Sequence, residues 1–203
     1  MSSIGSATRK ARGGQGRLPP NPRQWAVEHH ALDVREELGI ALDTMLPHER
    51  AFALLPGVEV LPHGKVPAAH MYLEHFRGAG ATTWSGLAVQ MDDGTAYVVY
   101  NDAHSITRTR ATLMEEFFHL RLGHPRSVVR VLSNGEGGRT YDSATEEEAY
   151  ACGAAALVPY YGLRRMVDAG MAPAGIARTF VVSHALVYYR LRVTKLFARA
   201  THS

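Results

Sequence analysis

The chain has 203 residues, of which 46% are apolar and 20% are charged, and this composition suits one globular domain with a buried core. No apolar run reaches the roughly 18 residues of a membrane-spanning helix, and we see no apolar segment of the kind that begins a secretion signal. With Cys152 as its single cysteine, the chain cannot form an internal disulfide, so we expect a cytoplasmic protein with a buried thiol.

The first predicted unit is a basic N-terminal tail. Residues 1–24 are rich in Gly, Ser, Pro and Arg, which predicts disorder there and a single domain over residues 25–200. The tail holds five cations and no acid, so the rest of the chain carries about −2 of the formal net charge of +3. A basic tail can contact nucleic acid or an anionic partner, but we expect no nucleic-acid binding by the domain itself.

The next segments combine short helices with one strand. Helical spacing of apolar residues predicts a helix over 25–42, with Gly39 as a stop signal, and a shorter one over 47–55. A β-prone run predicts a strand over 58–61. Residues 62–81 are ambiguous, because their Gly and Pro residues favour a loop while 67–76 also fits a helix.

A hairpin and a helix form the centre of the predicted domain. Two apolar, β-prone runs over 84–91 and 96–101 flank the turn residues at 92–94, which predicts an antiparallel pair. A helix over 105–122 follows, and Gly123 is typical of its C-terminal end.

The C-terminal half is predicted to be mainly helical. Residues 128–132 and 139–141 favour a small hairpin, and helices follow over 146–158, 162–169 and 183–198. Runs of this kind predict an α+β fold, with a small antiparallel sheet packed against several helices.

The helix over 105–122 carries the candidate chemistry. It is apolar on most faces, yet Glu115, Glu116 and His119 share one stripe. Ionised side chains in such a helix need a counter-charge, a metal ion or a shifted pKa. The spacing of Glu115 and His119 is that of the two ligands in the zinc motif H-E-x-x-H, where the Glu after the first ligand is the general base. The alternative is a satisfied Glu115–His119 pair without a metal.

Further motifs follow the stripe of Glu115, Glu116 and His119 along the chain. After His119 the chain reads Leu120-Arg121-Leu122-Gly123-His124, and residues 146–159 begin Glu-Glu-Glu-Ala-Tyr and end in Pro. Together these segments resemble the ImmA/IrrE family of metallopeptidase-like proteins, with its H-E-x-x-H, L-x-x-L-G-H and E-x-E-A-N patterns. The runs over 84–101 and 176–183 also look like segments of that family. The resemblance covers most of residues 26–198.

The resemblance implies a zincin-like metal helix, a helical C-terminal part and a specific ligand set. Glu115, His119 and Glu146 would hold Zn²⁺, or another divalent ion such as Mn²⁺ or Fe²⁺, with Glu116 as the general base and no further cofactor. It also implies a metal-dependent endopeptidase that cleaves a regulatory protein partner, such as a helix-turn-helix repressor of a mobile element.

Two positions depart from the family pattern. Glu115 replaces the first His, and Tyr150 replaces the Asn that orients it. The Tyr150 hydroxyl could donate to Glu115 instead. These departures favour an alternative function, in which a catalytically impaired metallopeptidase-like module acts by binding a regulator.

Other roles compete for the polar residues around the motifs. Glu146 also fits a capping box that begins at Ser143, and Glu148 is the expected capping partner of a second box that begins at Thr145. His124 is expected to cap the C-terminus of its helix; the alternative is that it stabilises an oxyanion.

Overall fold

The computed structural model describes residues 16–65, 84–90, 95–125, 129–131, 137–139 and 142–200. Within these ranges it confirms the expected α+β class. The helices are α1 Trp25–Glu37, α2 His48–Phe52, α3 Ile106–Leu122, α4 Ser143–Leu157, α5 Tyr160–Asp168, α6 Pro173–Phe180, α7 His184–Val193 and α8 Phe197–Ala200. The strands are β1 Val58–Pro62, β2 Gly86–Gln90, β3 Ala96–Tyr100, β4 Val129–Val131 and β5 Gly137–Arg139. In the part of the chain described here, no helix is both long and apolar enough to cross a membrane.

The larger sheet has three strands in the order β1-β3-β2. Strand β2 pairs antiparallel with β3, in the register Gly86↔Tyr100, as the hairpin signal predicts. Strand β1 pairs parallel with β3, in the register Val58↔Ala96, so the sheet is mixed rather than wholly antiparallel. Apolar runs reveal strands but not their direction, and the long connection from β1 to β3 permits a parallel pairing. The predicted turn at 92–94 lies outside the described residues.

Helix boundaries differ from the predicted ones where the backbone takes a left-handed conformation. Helix α1 ends at Glu37, short of residue 42 but just before the predicted stop Gly39, which has φ 66°. The predicted helix over 183–198 is two helices, because Lys195 has φ 63° between α7 and α8. Left-handed backbone cannot continue a right-handed helix.

The residues just before α1 make defined hydrogen bonds. Residues Pro22–Gln24 form a 3-10 helix, and the side chain of Asn21 accepts a hydrogen bond from the Arg23 amide. The Trp25 indole donates to the Pro19 carbonyl at 3.0 Å. The predicted tail therefore includes residues with defined contacts from Pro19 onward, while residues 1–15 lie outside the described part of the chain.

The core is centred on the packing of α3 against α4. Phe117 and Phe118 of α3 are fully buried, and α4 contributes a run of buried alanines to the same core cluster. Small residues allow the two backbones to approach closely. Cys152 of α4 is fully buried, as predicted, and burial raises the pKa of its thiol to about 12.

Two buried arginines hold the C-terminal end of α4. Arg35 donates from Nε to the Ala156 carbonyl at 2.7 Å, and Arg190 donates from Nε to the Val158 carbonyl at 2.9 Å. Arg190 also forms an ion pair with Glu28, and both side chains are fully buried. The last carbonyls of a helix have no partner within it, and cations near that end are favourable. These contacts anchor the helix whose first turn carries Glu146.

Candidate metal centre

The polar stripe of α3 faces the first turn of α4. Helix α4 begins after Asp142, whose carboxylate accepts a hydrogen bond from the Ala144 amide at 3.1 Å. The predicted capping boxes at Ser143 and Thr145 are therefore wrong, because Asp142 caps the helix. Glu146 and Glu148 are thus not needed as caps. Glu146 contacts His119 of α3, and Glu148 contacts His124, just beyond the end of α3.

Three predicted ligands converge at this point. One potential ligand atom from each of Glu115, His119 and Glu146 lies within 4.8 Å of the other two. His119 Nε2 is 3.5 Å from Glu146 Oε2. Zinc binds nitrogen and oxygen at about 2.0–2.2 Å, so adjacent ligands of a tetrahedral ion stand about 3.4 Å apart. The His119–Glu146 distance already has this value.

The charges at this point favour a cation. Burial, together with the neighbouring carboxylates of Glu116 and Glu146, raises the pKa of Glu115 to about 7. Close carboxylates repel one another unless a proton or a cation lies between them. A donor set of one imidazole and two carboxylates suits zinc and also harder ions such as manganese or iron. The residues therefore fit a divalent metal.

Glu116 lies beside this group, next to strand β2. A Cβ added to Gly86 would stand 3.6 Å from Glu116 Cγ and only 2.6 Å from Thr112 Cγ2. A side chain at Gly86 would thus collide with α3, so the glycine allows the strand to lie directly on the polar stripe. Glu116 consequently lies between the ligand group and the start of β2.

A tight turn at the end of α3 brings His124 back to His119. Gly123 has φ 67°, and its amide donates to the Leu120 carbonyl at 3.2 Å. The His124 amide donates to the His119 carbonyl at 3.0 Å. These two bonds form a Schellman motif. The His124 backbone therefore caps the helix as predicted, but its side chain has another role.

The His124 ring connects His119 with Glu148. His124 Nδ1 is 3.1 Å from His119 Nδ1, and His124 Nε2 is 3.2 Å from Glu148 Oε2. The prediction that Glu148 acts as a capping partner is therefore wrong. The Leu-Gly-His segment is the one feature of the sequence that indicates this contact.

Tyr150 lies on the Glu115 side of the centre. Its pKa is raised by burial and then by the Glu115 carboxylate, so the two side chains are close enough to interact. The Tyr150 ring packs edge-on against Tyr189 of α7, with ring centroids 5.1 Å apart. Helix α7 thus packs beside the Glu115 side of the centre.

Comparison with known proteins identifies one family. A family profile described as Peptidase_M78, IrrE N-terminal-like domain, matches residues 68–192. The match covers more than half of the chain and includes both helices of the candidate centre. No curated protein and no solved structure matches the chain.

Proposed function

Because the chain belongs to the Peptidase_M78 family through its IrrE N-terminal-like domain, we propose that this metallopeptidase-like protein is a metal-dependent endopeptidase. One observation carries the proposal: Glu115, His119 and Glu146 come from two helices and bring their ligand atoms within 4.8 Å of one another. Zinc is the proposed ion, because the ligand spacing and donor types suit it.

The proposed reaction assigns separate roles to neighbouring residues. Glu115, His119 and Glu146 would hold a divalent ion, which supplies Lewis-acid chemistry when bound. Glu116 would accept the proton of the attacking water and later pass it to the leaving amine. Its position between the ligand group and β2 supports this role, because a peptide lying along β2 would pass beside it.

Strand β2 is the proposed docking strand for the substrate. Among the described strands, β2 pairs only with β3, so β2 lies at one edge of the sheet. An edge strand offers unpaired backbone groups that an extended peptide can bind by adding a strand to the sheet. Gly86 keeps the first residue of β2 in contact with the stripe that carries Glu116. The substrate would therefore bind in an extended conformation.

The proposed substrate is a regulatory protein in the cytoplasm, such as a helix-turn-helix repressor of a mobile element. Support for this partner comes from the family resemblance of the site segments. The N-terminal tail, with its five cations in residues 1–23, is a second proposed contact for an anionic partner.

A second candidate function is a binding module with impaired catalysis. One observation favours it: Glu115 adds a third carboxylate next to Glu116 and Glu146, and burial with these neighbours raises its pKa. Extra negative charge at the ligand set weakens the electrophilic character of a bound metal. The protein would then act by binding its regulator through the same surface.

Cleavage by a Glu116→Gln variant separates the two functions. The full-length protein, loaded with zinc, is incubated with a proteome-derived peptide library, and new termini are identified by mass spectrometry. We expect cleavage by the wild type and by the exposed control Glu147→Gln, and a loss of about 100-fold or more in Glu116→Gln with zinc retained. Equal background cleavage by all three zinc-loaded proteins would contradict the peptidase and favour the binding module.

A further inference from the structure

A chain of three polar side chains runs away from the proposed ligand set. It begins at His119, continues through the ring of His124 and ends at the carboxylate of Glu148. The His124 side chain is only 7% exposed, whereas the Glu148 side chain is 49% exposed. The chain therefore leads from the centre to the protein surface.

The chemistry of the end groups determines where the protons lie. An ionised carboxylate only accepts hydrogen bonds, so His124 Nε2 must carry a proton that it donates to Glu148. If His124 is neutral, its Nδ1 is then an acceptor and His119 Nδ1 must be the donor. This assignment leaves a lone pair on His119 Nε2, which is the nitrogen that lies 3.5 Å from Glu146.

We propose that His124 and Glu148 are positioning residues that hold His119 in the tautomer able to bind a metal through Nε2. This inference rests on the proposed function. Metal-bound histidines usually donate their other ring N–H to a nearby acceptor, which fixes the tautomer and the ring orientation. Here a second histidine provides that acceptor, and a carboxylate orients the second histidine in turn.

The geometry explains why these two residues can act together. The Schellman turn at Gly123 places His124 against His119, with ring centroids 5.1 Å apart. Glu148 lies in α4, two residues after Glu146. The packing of α4 on α3 therefore supplies both a proposed ligand and the far end of the hydrogen-bonded chain.

The sizes of the expected effects follow from burial. Loss of a partner that orients a metal ligand typically weakens metal binding by about 10- to 100-fold. Because water can partly replace the half-exposed Glu148, we expect about 10-fold weaker zinc binding in Glu148→Ala. His124→Phe keeps a buried ring but removes both nitrogens, so we expect a loss nearer to 100-fold.

Zinc affinity, measured by competition with a chromophoric chelator on the full-length protein, tests this proposal. Glu147→Ala is the matched control, because Glu147 is exposed on the same turn of α4. Glu148→Gln retains an amide oxygen that can accept from His124, so it should keep most of the wild-type affinity. Nitrogen-15 NMR of the zinc-loaded protein should show a proton on His119 Nδ1 and on His124 Nε2.

The outcomes distinguish this proposal from the function on which it rests. Zinc binding by the wild type, with equal affinity in Glu148→Ala, His124→Phe and Glu147→Ala, would overturn the positioning role and leave the peptidase proposal standing. A His119 ring protonated at Nε2 in the zinc-loaded protein would overturn it as well. Failure of the folded wild type to bind zinc would overturn both proposals.

Discussion

Gly153 of α4 lies directly against the backbone of Met114 in α3. A Cβ at Gly153 would stand 3.0 Å from the Met114 carbonyl carbon and 3.1 Å from the Glu115 amide nitrogen. Glu115 of α3 and Glu146 of α4 are both proposed ligands. This close approach of the two helices therefore controls the distance between them.

A Gly153→Ala substitution should destabilise the protein. Helix propensity alone predicts a gain of up to about 1 kcal/mol for replacing Gly by Ala inside a helix. The added methyl would press on backbone atoms, which cannot rotate away, and overpacking of this kind costs about 1–3 kcal/mol. We therefore expect a net decrease in the free energy of unfolding, measured by urea denaturation, and weaker zinc binding. A net gain in stability with unchanged zinc affinity would contradict the close approach.

A Glu28→Gln substitution should destabilise the protein strongly. Glu28 and Arg190 are both fully buried, so the change leaves the guanidinium without its counter-charge. Removal of one partner of a buried pair typically costs about 3–5 kcal/mol. The exposed Glu36→Gln on the same helix is the control and should change stability by less than about 0.5 kcal/mol. Similar urea midpoints for the two variants would refute this role of the pair.

His48 should make stability depend on pH. It is 5% exposed, and Arg110 Nη1 lies 3.2 Å from its Nδ1. Burial lowers the pKa of His48; Glu49 opposes this shift and Arg110 adds to it. Because the folded pKa lies below the ordinary value of about 6.5, the associated stability is complete above that pH and is lost as pH falls toward the lowered pKa.

The measurement is the free energy of unfolding between about pH 7 and about pH 5, compared across variants. In His48→Gln, the free energy of unfolding should fall less steeply with decreasing pH than in the wild type. The difference in slope should be at most about 1.4 kcal/mol per pH unit, the limit for one proton. In the control variant His29→Gln, whose side chain is exposed, the free energy of unfolding should fall with decreasing pH as it does in the wild type. Identical pH profiles for the wild type and His48→Gln would show that His48 does not titrate as its burial implies.

The main parts of the centre are predictable from the sequence because their signals are local. The apolar pattern and Gly123 predict a helix over 105–122, and α3 covers Ile106–Leu122. The family resemblance, now confirmed by the profile match, named Glu146 as a partner of Glu115 and His119. The predicted start of α4 at residue 146 is later than the observed start at Ser143, because the carboxylate of Asp142 caps the helix by accepting from the Ala144 amide.

Contacts that depend on packing could not be predicted in this way. The contact of His124 with Glu148 spans 24 positions of the chain and requires both the turn at Gly123 and the packing of α4 on α3. The parallel pairing of β1 with β3 depends on the path of the connection between them. Neither a periodic pattern nor a short motif encodes the direction in which a side chain finally points.

The most direct test of the account is the metal content of the full-length protein, purified without added metal and analysed by mass spectrometry of its elements. The ligand group formed by Glu115, His119 and Glu146 predicts about one divalent ion per chain. We expect this content in the wild type and in the exposed control His184→Ala, and its loss in His119→Ala. Equal and negligible zinc, iron and manganese in the wild type and in His119→Ala would contradict the metal centre.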